Sequence, residues 1–282
     1  MINYNIFVEN SRKWLKEYIQ DNHLQSIVIG VSGGIDSTVS CAIASPVCKE
    51  LGIPLIGRSL PCETNKENEV TTADLVGKAF CTNYKAVDLE ESFKFLLDQF
   101  VFEEGDINPI QKGNIKARLR MIYLRNLASI HKGVVLDNDN FTEWNLGFWT
   151  VGGDSPMDIN LGLHYLWKTE IYELANYLID EVADEDNSKY YALMESMELT
   201  PTDGNGVSDS DCEQFGLDNY AQVDDVLQTM YYGTPFKYVN EYERLIDSYN
   251  EQGVDKVMML HQNTEYKRKE SPIKPTKEEL GL

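Results

Sequence analysis

Residues 26–38, SIVIGVSGGIDST, place two adjacent glycines, an acid and three hydroxyls directly after a short apolar run. Gly33 and Gly34 reach backbone angles closed to other residues and present their N–H groups with no Cβ in the way. Ser32, Ser37 and Thr38 add hydroxyl donors, and the helix expected next points its positive N-terminal end at the bend. Such a bend suits a diphosphate. Asp36 alone would repel that anion; it makes chemical sense as the ligand of a magnesium ion that bridges it to phosphate oxygens. No lysine stands where the G-x-x-x-x-G-K-[ST] phosphate loop needs one, so this is a different cradle. The competing reading is a plain strand-to-helix turn with a serine cap.

A cradle of this kind needs a buried strand before it and helices around it. Apolar runs at Ile27–Val31, Leu55–Ile56, Tyr84–Val87 and Val134–Leu136 alternate with helical patterns near 37–51, 66–80, 90–100 and 114–131. An amphipathic helix over 2–19 precedes them. Strands alternating with helices imply right-handed βαβ units and a parallel sheet, with ligands at the carboxyl ends of the strands. Beyond Leu136 the pattern becomes mostly helical, clearest over Lys168–Ile179 and Gln222–Tyr231. The Gly/Asp-rich stretches 147–160 and 199–211 read as mobile active-site loops.

The chain of 282 residues carries a net charge of −21, which disfavours duplex nucleic acid and anionic membrane surfaces as partners. No window has the roughly 18 consecutive apolar residues of a membrane span, and the N-terminus lacks signal-peptide order. Five cysteines, Cys41, Cys48, Cys62, Cys81 and Cys212, form no C-x-x-C pair, which points to reduced thiols in a cytoplasmic protein without structural zinc.

The hexad S-G-G-x-D-S resembles the signature of the N-type ATP pyrophosphatase (PP-loop) superfamily. Further segments follow in order: GNIKARLRMIYLRNLA (113–128), DNDNFTEWNLGFWT (137–150), GGDSPMDIN (152–160), LWKTEIYELA (166–175), PTDGNGVSDSDCEQFGLDNYAQVDDVL (201–227) and TEYKRK (264–269). Together they resemble ammonia-dependent NAD+ synthetases over residues from about 5 to about 272. The resemblance implies an α/β fold, doubly wound, with a mostly parallel five-stranded sheet flanked by helices (adenine nucleotide alpha hydrolase-like) and a helical C-terminal part. It implies a C–N bond-forming ligase that amidates deamido-NAD with ammonia to give NAD+, through an acyl-adenylate, with release of AMP and pyrophosphate. Mg2+ is the implied cofactor, ATP the co-substrate, and a homodimer the implied assembly. One domain over 1–282 is expected. The loop begins too early to leave room for a glutaminase domain, so free ammonia is the expected nitrogen source.

The same resemblance assigns roles by position. Gly30, Val31, Ser32, Gly33, Gly34, Ile35, Asp36 and Ser37 form the ATP and pyrophosphate loop, joined by Asn138, Lys168 and Thr202 at the ATP site. Asp36 and Glu143 are the metal carboxylates. Lys168 near the α-phosphate would offset charge in the transition state. Arg118, Asp158, Tyr266 and Lys267 fall at deamido-NAD positions, with Arg120 a weaker candidate beside Arg118. Asp154 is the acid expected to attract ammonium and help deliver ammonia. Three positions depart from the family pattern: Asn138 replaces a threonine, Val151 a lysine and Tyr266 a histidine. Trp149, Tyr165 and Trp167 are either ring-stacking residues or core. Two alternatives stand: another PP-loop enzyme acting on a different carboxylate, or a catalytically silent nucleotide-binding regulator. A tRNA-thiolating enzyme would want a basic surface and paired cysteines, and the chain has neither.

Overall fold

Ile27, Val28 and Ile29 are fully buried at the centre of a five-stranded sheet. The computed structural model describes the chain except residues 1, 64, 184–185, 203–207, 233–237 and 270–282, and except the side chains of 238–239. The strands are β1 (Ser26–Gly30), β2 (Leu55–Ser59), β3 (Asn83–Ala86), β4 (Gly133–Asp137) and β5 (Ile159–Asn160). They lie in the order β3-β2-β1-β4-β5, and every pairing is parallel. Ile27 sits opposite Leu55 on one side and Val134 on the other. Successive strands run outward one way from β1 to β3, then the other way through β4 and β5. The gap between β1 and β4 is therefore the switch point where a ligand crevice is expected.

Side-chain alternation sorts the strands between two helical layers. Ile27, Ile29 and Leu55 pack with α1 (Tyr4–Asp21), α2 (Ile35–Leu51), α3 (Glu67–Phe80), α7 (Lys168–Val182) and α8 (Asn187–Glu198). Val28, Ile56 and Val135 face Phe93 of α4 (Glu90–Glu104) and Leu124 of α5 (Pro109–Ile130). Fully burying each such side chain contributes about 1.5–3 kcal/mol. A third cluster joins α6 (Phe141–Leu146), α9 (Asp211–Phe215), α10 (Tyr220–Tyr232), α11 (Tyr238–Ser248) and α12 (Glu251–Asn263). This is the helical C-terminal part. Short 3-10 turns cover Leu163–Tyr165 and Glu265–Arg268.

Several boundaries differ from the sequence-based expectation. Helix α5 starts earlier, at Pro109, because Asn108 accepts the Gln111 N–H and proline suits the first helical position. Strand β2 runs past Ile56 to Ser59 and takes in Arg58, which is buried because its guanidinium donates to the Gly57 and Asn83 carbonyls. Stretch 147–160 is not wholly loop. Its end forms β5, held by the Asn160 amide donating to Asp137 Oδ1. All five cysteines are free. Among the described residues, no helix is long and apolar enough to cross a membrane.

Candidate active site

A cleft of about 1160 Å³ opens at the carboxyl ends of β1 and β4. Gly30, Val31, Ser32, Gly34, Ile35, Asp36 and Ser37 line it, as do Asn138, Glu143, Asp154, Lys168, Thr202, Arg120 and Lys267. Gly33, Arg118, Asp158 and Tyr266 do not. Gly33 has φ +89°, and a Cβ there would lie 2.6 Å from the Glu69 carbonyl oxygen and 2.8 Å from Ala73 N. Its lack of a side chain lets α3 close against the bend. Gly34 is the N-cap of α2, and its N–H donates to Ser32 Oγ at 3.2 Å. The Ser32 and Ser37 hydroxyls lie 3.1 Å apart at the cleft wall. Thr38 was expected among the anion donors, but it is fully buried and its hydroxyl donates to the Gly34 carbonyl. It shapes the bend from behind.

Asp36, in the first turn of α2, meets residues that follow β4. Its Oδ1 accepts the Asn140 amide at 2.8 Å, and its Oδ2 accepts Lys168 Nζ at 2.5 Å. Lys168 Nζ also reaches Glu143 Oε1 at 3.2 Å, and its side chain is 3% exposed. Burial works against the Lys168 charge, yet Asp36 and Glu143 outweigh it and hold the ammonium well above the ordinary lysine range. Glu143 is pushed up to about 7. Burial is the main cause; Lys168 pulls it back down, and the Asp36 carboxylate adds to the rise. Two carboxylates thus share one ammonium in a desolvated corner, an arrangement short of positive charge. Their side chains are 14% and 16% exposed, open toward the cleft. This pair of hard oxygen donors fits a magnesium ion, which favours few protein ligands plus phosphate oxygens. Among the described residues, Asn138 Oδ1 nearby is buried with no hydrogen-bond partner.

At the far end of the cleft, Lys267 donates to the carbonyls of Gly147, at 2.6 Å, and of Trp149. Burial lowers its pKa, opposed by Asp154 and Asp139. The turn at 265–268 is therefore seated against the backbone of 147–149; residues 270–282 of the tail lie outside the described residues. Asp154 Oδ1 accepts the Thr150 N–H at 2.6 Å. Thr202 donates to Glu69 Oε1 at 2.6 Å, which ties the 199–202 segment to α3, while 203–207 lie outside the described residues. Arg118 is exposed and donates to the Val151 carbonyl at 3.3 Å. Asp158 turns to Arg125 at 2.7 Å and to the Val135 N–H at 2.8 Å, bracing the loop from beneath. Tyr266 is 54% exposed and Tyr165 82%. Trp167 is core, against Phe141; Trp149 is buried, stacked on Trp144 and close to Lys267.

Three groups went unread in the sequence. Asn140 caps α6 by accepting the Glu143 N–H, while Glu143 Oε2 accepts the Asn140 N–H. The N-x-x-E spacing of 140–143 is a capping-box signature and would have located it. Arg58 lines the cleft from β2. Asp137 is the third. It, Asp139 and His164 present ligand atoms within 4.8 Å of one another. Asp137 is already engaged by Ser155, the Met157 N–H, Asn160 and His164, so the group reads as a polar bracket for β5.

The family model described as NAD synthase matches residues 7–271. The chain belongs to this family. The NH(3)-dependent NAD(+) synthetase of Finegoldia magna is 32% identical over 226 residues, covering 80% of this chain and 85% of that protein. Among solved structures, the NMN synthetase of Francisella tularensis superposes with a TM-score of 0.76 at 23% identity, over 98% of this chain and 100% of that one. The NH3-dependent NAD synthetase of Campylobacter jejuni does so with a TM-score of 0.69 at 20% identity, over 98% and 100%. At those identities the two structures establish the fold.

Proposed function

We propose that the chain converts deamido-NAD, ATP and ammonia to NAD+, AMP and pyrophosphate, with a magnesium ion on Asp36 and Glu143. The observation that carries this reading is the meeting of Asp36, Glu143 and Lys168 beside the Gly33–Gly34 bend. The backbone of the bend and the α2 N-terminus bind the phosphates that leave. Asp36 and Glu143 would hold the magnesium ion, which would supply positive charge to offset that of the phosphates. Lys168 offsets the charge that builds on the α-phosphate as the nicotinate carboxylate attacks it. Asn138 and Thr202 bound the ATP end. Lys267 and Arg118 hold the dinucleotide, and Asp158 braces the loop that carries Asp154. Asp154 takes a proton from ammonium, freeing ammonia to attack the acyl carbon and displace AMP.

The chain is proposed to act as a cytoplasmic homodimer through the α4–α5 face. Phe95, Phe100 and Phe102 of α4 and Ile110 and Ile122 of α5 are 48–82% exposed, and Ile110 also lines the cleft. A second copy would cover these side chains and wall the substrate end. Chromatography of reactions containing ATP, magnesium and deamido-NAD tests the activity. NAD+ forms with ammonium and not with glutamine; AMP and pyrophosphate released without deamido-NAD would reject the reading.

A further inference from the structure

Asp224 lies on α10, 2% exposed and outside the cleft. Its Oδ1 accepts the Thr142 hydroxyl at 2.5 Å, and its Oδ2 accepts both the N–H and the hydroxyl of Thr169, at 2.9 and 2.8 Å. The Thr142 hydroxyl oxygen in turn accepts the Lys168 N–H at 2.8 Å. Each threonine adjoins a reactive group: Thr142 precedes Glu143 on α6, and Thr169 follows Lys168 at the start of α7.

The first N–H groups of a helix have no partner within it. Trp167, the N-cap of α7, has an indole that donates and cannot accept. The acceptors for Lys168 and Thr169 therefore come from other elements, Thr142 on α6 and Asp224 on α10. The negative charge of Asp224 also suits the positive end of α7. One buried carboxylate thereby bolts α6 to α7 and holds the backbones under Glu143 and Lys168 at a set separation.

We infer that Asp224 is a positioning residue which, through Thr142 and Thr169, sets the spacing of Glu143 and Lys168 for magnesium–ATP. This rests on the proposed function, in that Glu143 and Lys168 are taken as the ATP-directed pair. Asp225, the next residue, makes the contrast. It faces outward, paired with Arg244 at 2.8 Å and accepting the Tyr249 hydroxyl. It holds α10 to α11 and the turn after it, and nothing near the cleft.

The test is calorimetric binding of magnesium–ATP together with steady-state kinetics on Asp224→Asn, Asp225→Asn, Thr142→Val and Thr142→Ser. An amide at 224 sets a donor against one of the two threonines. Removing a group that orients ligands costs about 10–100-fold in affinity or activity. Asp224→Asn should therefore weaken magnesium–ATP about tenfold and lower kcat at least as much, with KM for deamido-NAD within about twofold. Thr142→Val should follow it. Thr142→Ser, which keeps the hydroxyl, should return to within about threefold of the parent. Asp225→Asn should lower Tm and leave kcat unchanged. The inference is overturned if folded Asp224→Asn binds magnesium–ATP and turns over within about twofold of the parent, or if Asp225→Asn loses as much. Should Asp224→Asn fail to fold, equal behaviour of the Thr142 pair overturns it and divergence supports it. If the parent protein makes no NAD+, the proposed function fails, while the magnesium–ATP affinities still decide the role of Asp224.

Discussion

At the end of the cleft proposed to take the phosphates, Asp36, Glu143 and Lys168 close on one another at 2.5–3.2 Å with side chains at most 16% exposed. At the end proposed to take the dinucleotide, Arg118, Val151 and Tyr266 stand in the open, and Lys267 is held by backbone carbonyls. The phosphate end is an interlocked charge network. The other end is a rim drawn from three places, α5, the 147–160 stretch and the 265–268 turn. Electrostatic groups count for most where water is excluded, so losses at the two ends should differ in size and in kind.

The largest effect is expected from Lys168→Met. It removes the one cation between two carboxylates and should lower kcat for AMP release by about 10²–10³-fold, as loss of a preorganised donor does. Stopped assays of AMP with saturating substrates measure this; a loss under about tenfold would mean the network is not where charge develops. At the opposite end, Lys267→Ala should raise KM for deamido-NAD about tenfold and leave KM for ATP unchanged. Equal shifts in both constants would erase the division between the two ends.

The bend was legible because its needs are local. An apolar run, two glycines and an acid sit within a few residues, so β1, the loop and the start of α2 can be read together. The apolar faces of α1, α3 and α7 were legible through their spacing. Groups that act across elements were not. Asp224 is one of two adjacent acids on α10, and only the fold shows that it points inward while Asp225 points out. Arg58 lies beyond the apolar run Leu55–Ile56, and burying it depends on Asn83, on another strand. Strand β5 is two residues long, below what periodicity can mark, and depends on Asp137. Arg118, Asp158 and Tyr266 were placed by resemblance alone, and the structure sets none of them in the cleft wall.

A smaller effect, on stability, tests the crowding at the phosphate end. Glu143 is raised from its ordinary 4.5 to about 7, so the folded protein holds this proton more tightly than the unfolded chain. Stability from this group is full below about pH 4.5 and is lost as pH rises through about 7. The loss amounts to about 2–3 kcal/mol across that window. Thermal melts of the metal-free protein should fall between pH 5 and 8, and Glu143→Gln should flatten the fall. A parallel fall in Glu143→Gln would place the titrating group elsewhere. The smallest effect is expected from Val151→Lys. A lysine at this 44% exposed position would add a screened contact worth under about 1 kcal/mol, lowering KM for deamido-NAD by about two- to fivefold. An unchanged KM would mean the dinucleotide does not pass that rim.

The most direct measurement is exchange of labelled pyrophosphate into ATP, without ammonia, in the parent protein and in Asp36→Ala. If the bend holds the leaving pyrophosphate through Asp36, the parent exchanges label only when deamido-NAD is present, and Asp36→Ala does not exchange at all. Exchange that proceeds without deamido-NAD, or at the parental rate in Asp36→Ala, would contradict the account.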